Sequence, residues 1–142
     1  MNKYILFTIC FCMTFSVFSQ DIFGKWKTID DETGEAKSIV SIYEKDGKVY
    51  GKIEALLKNK NKDALCTKCE GDEKNTPLVG LEFIKNLKKD GDTYKGGTIF
   101  DPESGKKYKC TVALNEDDPN TLDVRGYIAF FYKTQNWIRV KN

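Results

Sequence analysis

Apolar and polar residues alternate with a period of two along most of the chain, a pattern that predicts β-strands rather than helices. In the first such segment, Ile22, Gly24, Trp26 and Thr28 alternate with the residues between them. The predicted strands cover residues 22–28, 39–44, 49–57, 78–87, 93–100, 107–114, 121–130 and 135–140. About eight strands at this spacing are typical of a β-sandwich or a β-barrel.

Short turns separate the predicted strands. Asp46-Gly47 and Asp90-Gly91 predict hairpins, because a two-residue hairpin turn needs positive φ. Gly96-Gly97 in mid-strand indicates either a bulge or close backbone approach, or simply a strand end; the first interpretation favours a barrel. We therefore expect an all-β fold, a small antiparallel up-and-down barrel of about eight strands whose first and last strands meet. The longest loop is predicted at residues 58–77.

Residues 1–19 have the pattern of a signal peptide. Lys3 precedes an uncharged apolar stretch at residues 4–18, and Val17 and Ser19 fit a cleavage site before Gln20. The alternative is an uncleaved anchor, for which the stretch is short. The sequence thus predicts export to the periplasm or the medium, and a single barrel domain at residues 20–142.

Composition limits the function classes. Histidine is absent from the 142 residues, which excludes Ser-His-Asp and Cys-His catalysis and the common imidazole metal sites. The 23 lysines and arginines nearly balance the 21 aspartates and glutamates. The net charge therefore gives no indication of binding to nucleic acid or to an anionic membrane. We expect no enzyme, no cofactor, no metal site, no membrane span after residue 19, and a monomer.

Cys66 and Cys69 lie in the longest loop, and an oxidising compartment favours a disulfide between them. The alternative is a redox-active pair. Such pairs occur in the βαβ setting of thioredoxin-like proteins, which this pattern of strands lacks. Zinc would need four ligands, and only Cys110 could join as a third thiolate. Cys110 alternates with Tyr108 and Val112 on an apolar face, so we expect a buried, unreactive thiol.

Two further groups of residues have the chemistry of possible binding sites. Glu116-Asp117-Asp118 lacks the spacing and glycine of a calcium loop and is predicted to be a solvated turn. Seven aromatic residues on the predicted strands could line a pocket, but we expect core packing instead. They are Phe83, Tyr94, Phe100, Tyr108, Tyr127, Phe130 and Phe131.

Gly24-Lys25-Trp26 resembles the G-x-W opening of the lipocalins and the wider calycin group. In those proteins the tryptophan closes one end of the barrel, and a basic residue near the chain end packs across it. The resemblance implies that Gly24, Trp26 and Arg139 form the structural closure, with Arg125 as the second choice for the basic partner.

A second resemblance covers nearly all of residues 20–142. The sequence is similar to the bacterial exported family catalogued as domain of unknown function 2147. The motifs that carry it are GKI at 51–53, CTKCEG at 66–71, KNTPLVGL at 74–81, GGTIFDP at 96–102, GKKY at 105–108, LDVRGY at 122–127 and TQNWIRV at 134–140. It implies export and a lipocalin-like barrel, and it supplies no catalytic residues.

We therefore expect a binding module for a small apolar or amphipathic molecule, contacted by loop residues at the barrel mouth rather than at the Gly24 and Trp26 end. The alternative is a protein-interaction barrel, such as an inhibitor of an exported enzyme, presenting loop 58–77. An empty cavity with a polar mouth would favour the first, and a filled core with an apolar loop the second. The ligand-binding residues themselves are not predicted.

Overall fold

The computed structural model describes residues 20–141, which form an eight-stranded antiparallel barrel. The strands are β1 (Gly24–Ile29), β2 (Ala36–Lys45), β3 (Lys48–Leu56), β4 (Glu82–Asp90), β5 (Thr93–Asp101), β6 (Lys106–Leu114), β7 (Thr121–Ile128) and β8 (Phe131–Arg139). Each strand pairs with the next, and β8 returns to β1. The predicted all-β up-and-down barrel is confirmed. The predicted signal peptide, residues 1–19, lies outside the described residues.

In the described part of the chain, helix is limited to a single 3₁₀ turn, Gly71–Glu73, in the β3–β4 connection. Within residues 20–141, no helix has the length and apolar character needed to span a bilayer.

Backbone geometry explains why the tight β2–β3 turn falls where it does. Asp46 and Gly47 have φ values of 53° and 75°, the pair of positive angles that a two-residue hairpin turn of the favoured hand requires. Aspartate tolerates this conformation better than most residues, and glycine adopts it without strain. The predicted hairpin is therefore present, at the end of the barrel that also holds the N-terminal segment.

The Gly96-Gly97 pair marks a bulge rather than a strand end, because the β5–β6 register shifts between Tyr94 and Gly97 and β5 continues to Asp101. A Cβ at Gly97 would overlap the carbonyl oxygen of Lys85 on β4. Asn86, next to Lys85, has a φ of 64°. The backbones of β4 and β5 thus approach more closely here than any other residue at position 97 would allow.

The core fills the half of the barrel around β1, β2 and the β6–β7 turn. Its fully buried side chains are Ile22, Trp26, Val40, Ile42, Ile84, Leu87, Val112, Leu122 and Trp137. On most strands the buried residues stand at alternate positions, so the period-two pattern of the sequence is also the pattern of burial. β4 is the exception, with Phe83, Ile84 and Leu87 buried and the left-handed Asn86 between them.

Most strand boundaries differ from the sequence prediction by one to four residues, and the differences in β4, β7 and β8 have a clear structural cause. Residues 78–81 belong to the long β3–β4 connection rather than to β4, because Leu78 donates to Ala64 O and Gly80 to Ile53 O. β7 ends at Ile128 and β8 begins at Phe131, whereas strands ending at 130 and starting at 135 were predicted. The positive φ of Ala129, 50°, makes the turn.

The prediction that the seven aromatic residues pack in the core is wrong for most of them. Only Phe83 is buried, Tyr94, Phe100 and Tyr108 are half-buried, and Tyr127, Phe130 and Phe131 are exposed. The last three lie at the end of the β7–β8 hairpin, where there is no core to cover them. Phe83, Phe100 and Tyr108 line an internal cavity instead.

Candidate functional site

The other half of the barrel holds a cavity of about 860 Å³. It opens at the end formed by the β1–β2, β3–β4, β5–β6 and β7–β8 connections. Neither Gly24 nor Trp26 lines it, so it lies away from the end predicted to be closed. The volume is within the range of small-molecule sites in proteins, about 300–1,000 Å³.

Apolar side chains form most of the cavity wall. Phe83 and Trp137 lie deepest, with ring centres 6.1 Å apart. Above them the wall is formed by Ile53, Ile99, Tyr108, Val124 and Ile128. Gly126 on β7 leaves further room, since a Cβ there would meet only Tyr108 and Ile99 at van der Waals distance. This part of the cavity suits an apolar group.

One side of the cavity is polar. Thr28 and Ser38, on β1 and β2, share a hydrogen bond of 2.6 Å between their hydroxyl oxygens. On β8, the Gln135 side chain accepts a bond from Trp137 Nε1 at 3.1 Å and donates one to Asp31 Oδ2 at 3.3 Å. These groups offer hydroxyl and amide partners to a polar part of a ligand.

Ion pairs form the rim of the mouth. Lys58 Nζ lies 2.8 Å from Asp30 Oδ2, and the hydrogen bond from Lys58, helped by backbone donors Glu32 and Thr33, lowers the pKa of Asp30 to about 2. The same bond raises the pKa of Lys58. Lys37 Nζ lies 2.7 Å from Glu103 Oε1, joining β2 to the β5–β6 turn across the opening. Both partners of that pair are exposed, so parting them costs little.

The pairing between β1 and β8 is the shortest in the barrel. Their register includes only Trp26 with Arg139 and Lys27 with Ile138. Nearer the mouth, Asp31 provides the connection through its side chain, with Lys133 Nζ at 2.7 Å and Gln135 Nε2 at 3.3 Å. Asp31 raises the pKa of Lys133 through that contact. Side chains rather than backbone thus close this part of the wall.

At the opposite end, Trp26 is fully buried and donates from Nε1 to Ile22 O at 2.9 Å. Arg139 covers it, with the guanidinium carbon 4.3 Å from the centre of the ring. Arg139 also donates to the carbonyl oxygens of Asp21 and Phe23. Gly24 lies beneath the arginine at a φ of 120°. Arg125, the second choice for this partner, packs on Tyr132 near the mouth instead.

Cys66 and Cys69 are joined by a disulfide, with Cα atoms 5.4 Å apart. The loop around it is held by backbone bonds from Cys66 N to Thr76 O and from Asn75 N to Cys66 O. Cys110 is free and buried, and desolvation raises the pKa of its thiol to about 12. Cys110 stands at an inward position of β6 and takes no part in the disulfide.

Other polar clusters lie outside the cavity. On the outer face, burial and the hydrogen bond to Glu82 raise the pKa of Tyr43, while Lys45 and Lys52 lie over the rings of Tyr50 and Tyr43. Within residues 20–141, no three His, Cys, Asp or Glu side chains are grouped so that they could hold a metal ion. Glu116-Asp117-Asp118 forms a turn capped by Asn115.

Sequence reasoning did not identify the residues that line the cavity. Gly126, Thr28, Ser38 and Gln135 stand at inward positions of their strands, where large apolar residues would fill a solid core. The sequence feature that could have revealed the cavity is a small or polar residue at an inward strand position. The alternation alone could not show that such positions, spread over four strands, meet in one space.

Comparison with known proteins agrees with this architecture. Residues 24–139 match the family described as "Uncharacterized protein conserved in bacteria (DUF2147)", and the chain belongs to that family. The fold is similar to that of a lipocalin-family protein from the human pathogen Helicobacter pylori, with a TM-score of 0.73 and 22% identity over 87% of this chain and 86% of that one. No curated protein matches the chain. The predicted family and lipocalin-like barrel are thus confirmed.

Proposed function

We propose that this member of the DUF2147 family is a binding protein that takes up one small apolar or amphipathic molecule in its barrel cavity. The observation that carries the proposal is the cavity of about 860 Å³, apolar in its depth and polar at its mouth. Protein interiors are normally close-packed, so a space of this size is not a feature of an ordinary core and indicates a site for a ligand. The lipocalin-like fold and the family support binding rather than catalysis.

The lining suggests how a ligand is oriented. An apolar portion would lie against Phe83, Ile99 and Trp137, where its removal from water is favourable. A polar portion would lie toward Thr28, Ser38 and Gln135, whose hydroxyl and amide groups can bond to it. An amphipathic molecule with one polar end fits this arrangement better than a uniformly apolar one.

We further propose that the protein is exported and works in the periplasm or the medium, as a monomer. The Cys66–Cys69 disulfide supports export, since such bonds persist in oxidising compartments and are rare in the cytosol. The disulfide then has a local structural role in fixing the loop between β3 and β4.

A protein-interaction function is the second candidate. Leu65 and Val79 in the β3–β4 connection are exposed, and exposed apolar loop residues can anchor a partner. The cavity with its polar mouth favours the small-molecule function over this alternative, because an inhibitor that used only its loops would not need an open barrel.

Two measurements test the binding function. Native mass spectrometry of protein purified from its own host should show a retained small molecule. A panel of fatty acids, isoprenoids and aromatic dyes should include a compound that raises the melting temperature, since a ligand at a hundredfold excess over its Kd stabilises by about 2.7 kcal/mol.

The matched variants are Gly126→Leu and Gly126→Ala. Position 126 lies outside the left-handed region and faces the cavity, so leucine should project into the space and narrow it, while alanine adds one methyl group. Leucine should reduce the thermal shift and leave folding intact, and alanine should largely keep it. If no ligand in the panel shifts melting in the parent protein, and no molecule is retained, the small-molecule function is wrong and the interaction function takes its place.

A further inference from the structure

The β7–β8 hairpin ends in an exposed apolar tip, residues 127–132. Phe130 is 99% exposed, Phe131 75%, Tyr132 61% and Ile128 52%. The register pairs Tyr127 with Tyr132 on the outer face and Ile128 with Phe131 on the cavity side. The tip is therefore apolar on both faces, unlike the alternating pattern of the strands that lead to it. Contiguous exposed apolar residues of this kind mark interaction sites.

The tip is not paired with its neighbouring strands beyond its base. The β6–β7 register ends at Lys109 with Tyr127, although β6 itself begins at Lys106, and toward the mouth the β8–β1 register ends at Lys27 with Ile138. The aromatic rings thus project from the mouth end of the barrel with no core behind them. Because Phe130 is almost fully exposed, moving it from water into an apolar environment would remove its whole apolar surface from water, which is favourable.

Basic residues flank the tip on the outer face. Lys109 pairs with Tyr127, Lys107 lies two residues nearer the mouth on the same face, and the Arg125 guanidinium lies 4.2 Å from the centre of the Tyr132 ring. Within residues 20–141 none of these three cations has a salt bridge. The rim acids Asp30, Asp31 and Glu103, by contrast, are each matched by a lysine. Lys107 also borders a small groove lined by Glu70, Glu73 and Glu82, of which Glu73 and Glu82 are paired with other lysines. The positive charge beside the tip therefore comes chiefly from Lys109 and Arg125, with Lys107 at its edge.

We propose that the tip docks onto the surface of an anionic lipid bilayer, with Phe130 and Phe131 among the headgroups and acyl chains and the lysines against lipid phosphates. Aromatic residues with a basic border are typical of interfacial membrane anchors. A narrow projecting hairpin suits insertion into a soft surface, whereas a stable contact with another protein needs a broad complementary face. Docking brings the cavity mouth to the bilayer, so an apolar molecule could pass between them without crossing water.

The test is sedimentation of the protein, as purified from its own host, with vesicles of phosphatidylcholine alone or with about 30% phosphatidylglycerol, a content at which basic residues are attracted. The parent should partition onto the anionic vesicles. Phe130→Ser with Phe131→Ser should lower the partition coefficient about tenfold for each phenylalanine, given the gain from burying such a side chain. The matched control is Ile138→Ser, which removes a 47% exposed apolar side chain of β8 away from the mouth.

Two further arms separate the contributions. Lys107→Gln with Lys109→Gln should reduce the preference for anionic vesicles about fivefold for each lysine. Phe130→Trp should give a blue-shifted emission with vesicles, readable because Trp26 and Trp137 are buried. Equal partition of the parent and the double serine variant, or no partition of the parent, overturns the proposal. So does a concentration-dependent dimer that the serine variant abolishes, because the tip would then be a contact between copies. None of these arms requires a cavity ligand.

Discussion

The Arg139 guanidinium lies 4.3 Å from the centre of the Trp26 ring and is the cover of a fully buried side chain. The same arginine donates to Asp21 O and Pro119 O, so it connects the N-terminal segment to the β6–β7 turn. Two residues more than a hundred positions apart thereby fasten the first strand of the barrel to the last. The stability of the closed end should depend on both, but unequally.

Trp26→Ala should lower the free energy of unfolding by about 3–5 kcal/mol, because it removes a fully buried ring and leaves a cavity. Arg139→Ala should cost less, since it removes a cation–π contact and hydrogen bonds at a partly exposed site. Urea unfolding followed by far-UV circular dichroism gives both values. Unchanged unfolding of the tryptophan variant would contradict its assignment as the closure of the barrel.

Gly97→Ala should destabilise the fold more than Gly96→Ala. At position 97 a Cβ would overlap the β4 backbone, so one strand must move. At position 96 the space is open and the cost is that of a φ of 80° for alanine, about 1–2 kcal/mol. Thermal melts of the two variants make the comparison, and a larger loss at position 96 would show that the β4–β5 approach can relax.

Much of the fold could be predicted because a barrel strand repeats every second residue and its turns need particular residues. Asp46-Gly47 and the inward series Ile22, Trp26 and Thr28 follow directly from these rules. The β7–β8 tip could not be placed, because Tyr127, Ile128, Phe130 and Phe131 look like one more core strand. A run of apolar residues reports burial only where there is a core to bury them, and the end of a hairpin has none.

The cavity was less predictable than the barrel. Its existence depends on how far side chains from several strands reach toward one another, which no local pattern records. Gly126 and Gln135 are ordinary strand residues in the sequence, and only the closed register places them opposite Ile99 and Asp31. The closed-end residues Gly24, Trp26 and Arg139 were identifiable because a family resemblance, rather than periodicity, pointed to them.

The thiols should differ sharply in reactivity. Cys110 is buried with a pKa of about 12, so it should resist a thiol reagent at pH 8 until the protein is unfolded, because the thiolate is the reactive form. Cys66 and Cys69 should label only after reduction. Replacing both by serine should cost about 2 kcal/mol or less, because the bond closes a very short loop. Peptide mapping that found Cys110 bridged to either loop cysteine would contradict this assignment.

The Asp30–Lys58 pair at the cavity mouth should make the stability of the fold depend on pH in the acidic range. Its hydrogen bond with Lys58 holds the folded-state pKa of Asp30 at about 2, below the ordinary value of 3.8. A depressed pKa means that the pair stabilises the fold above the unfolded-state value and that this contribution is lost as the pH falls from about 4 toward 2. Asp30→Asn keeps an oxygen for the backbone donors of Glu32 and Thr33 but removes the charge.

The variant should therefore melt below the parent at pH 7, and the difference should shrink steeply between pH 4 and pH 2, because the parent aspartate is half neutral at its folded-state pKa of about 2. Melting curves between pH 7 and pH 2 measure it. Asp92→Asn is the matched control, since Asp92 lies in the β4–β5 turn and forms no ion pair within residues 20–141; its melting should follow the parent at every pH. A difference between Asp30→Asn and the parent that stayed constant down to pH 2 would mean that the charge on Asp30 does not hold the rim.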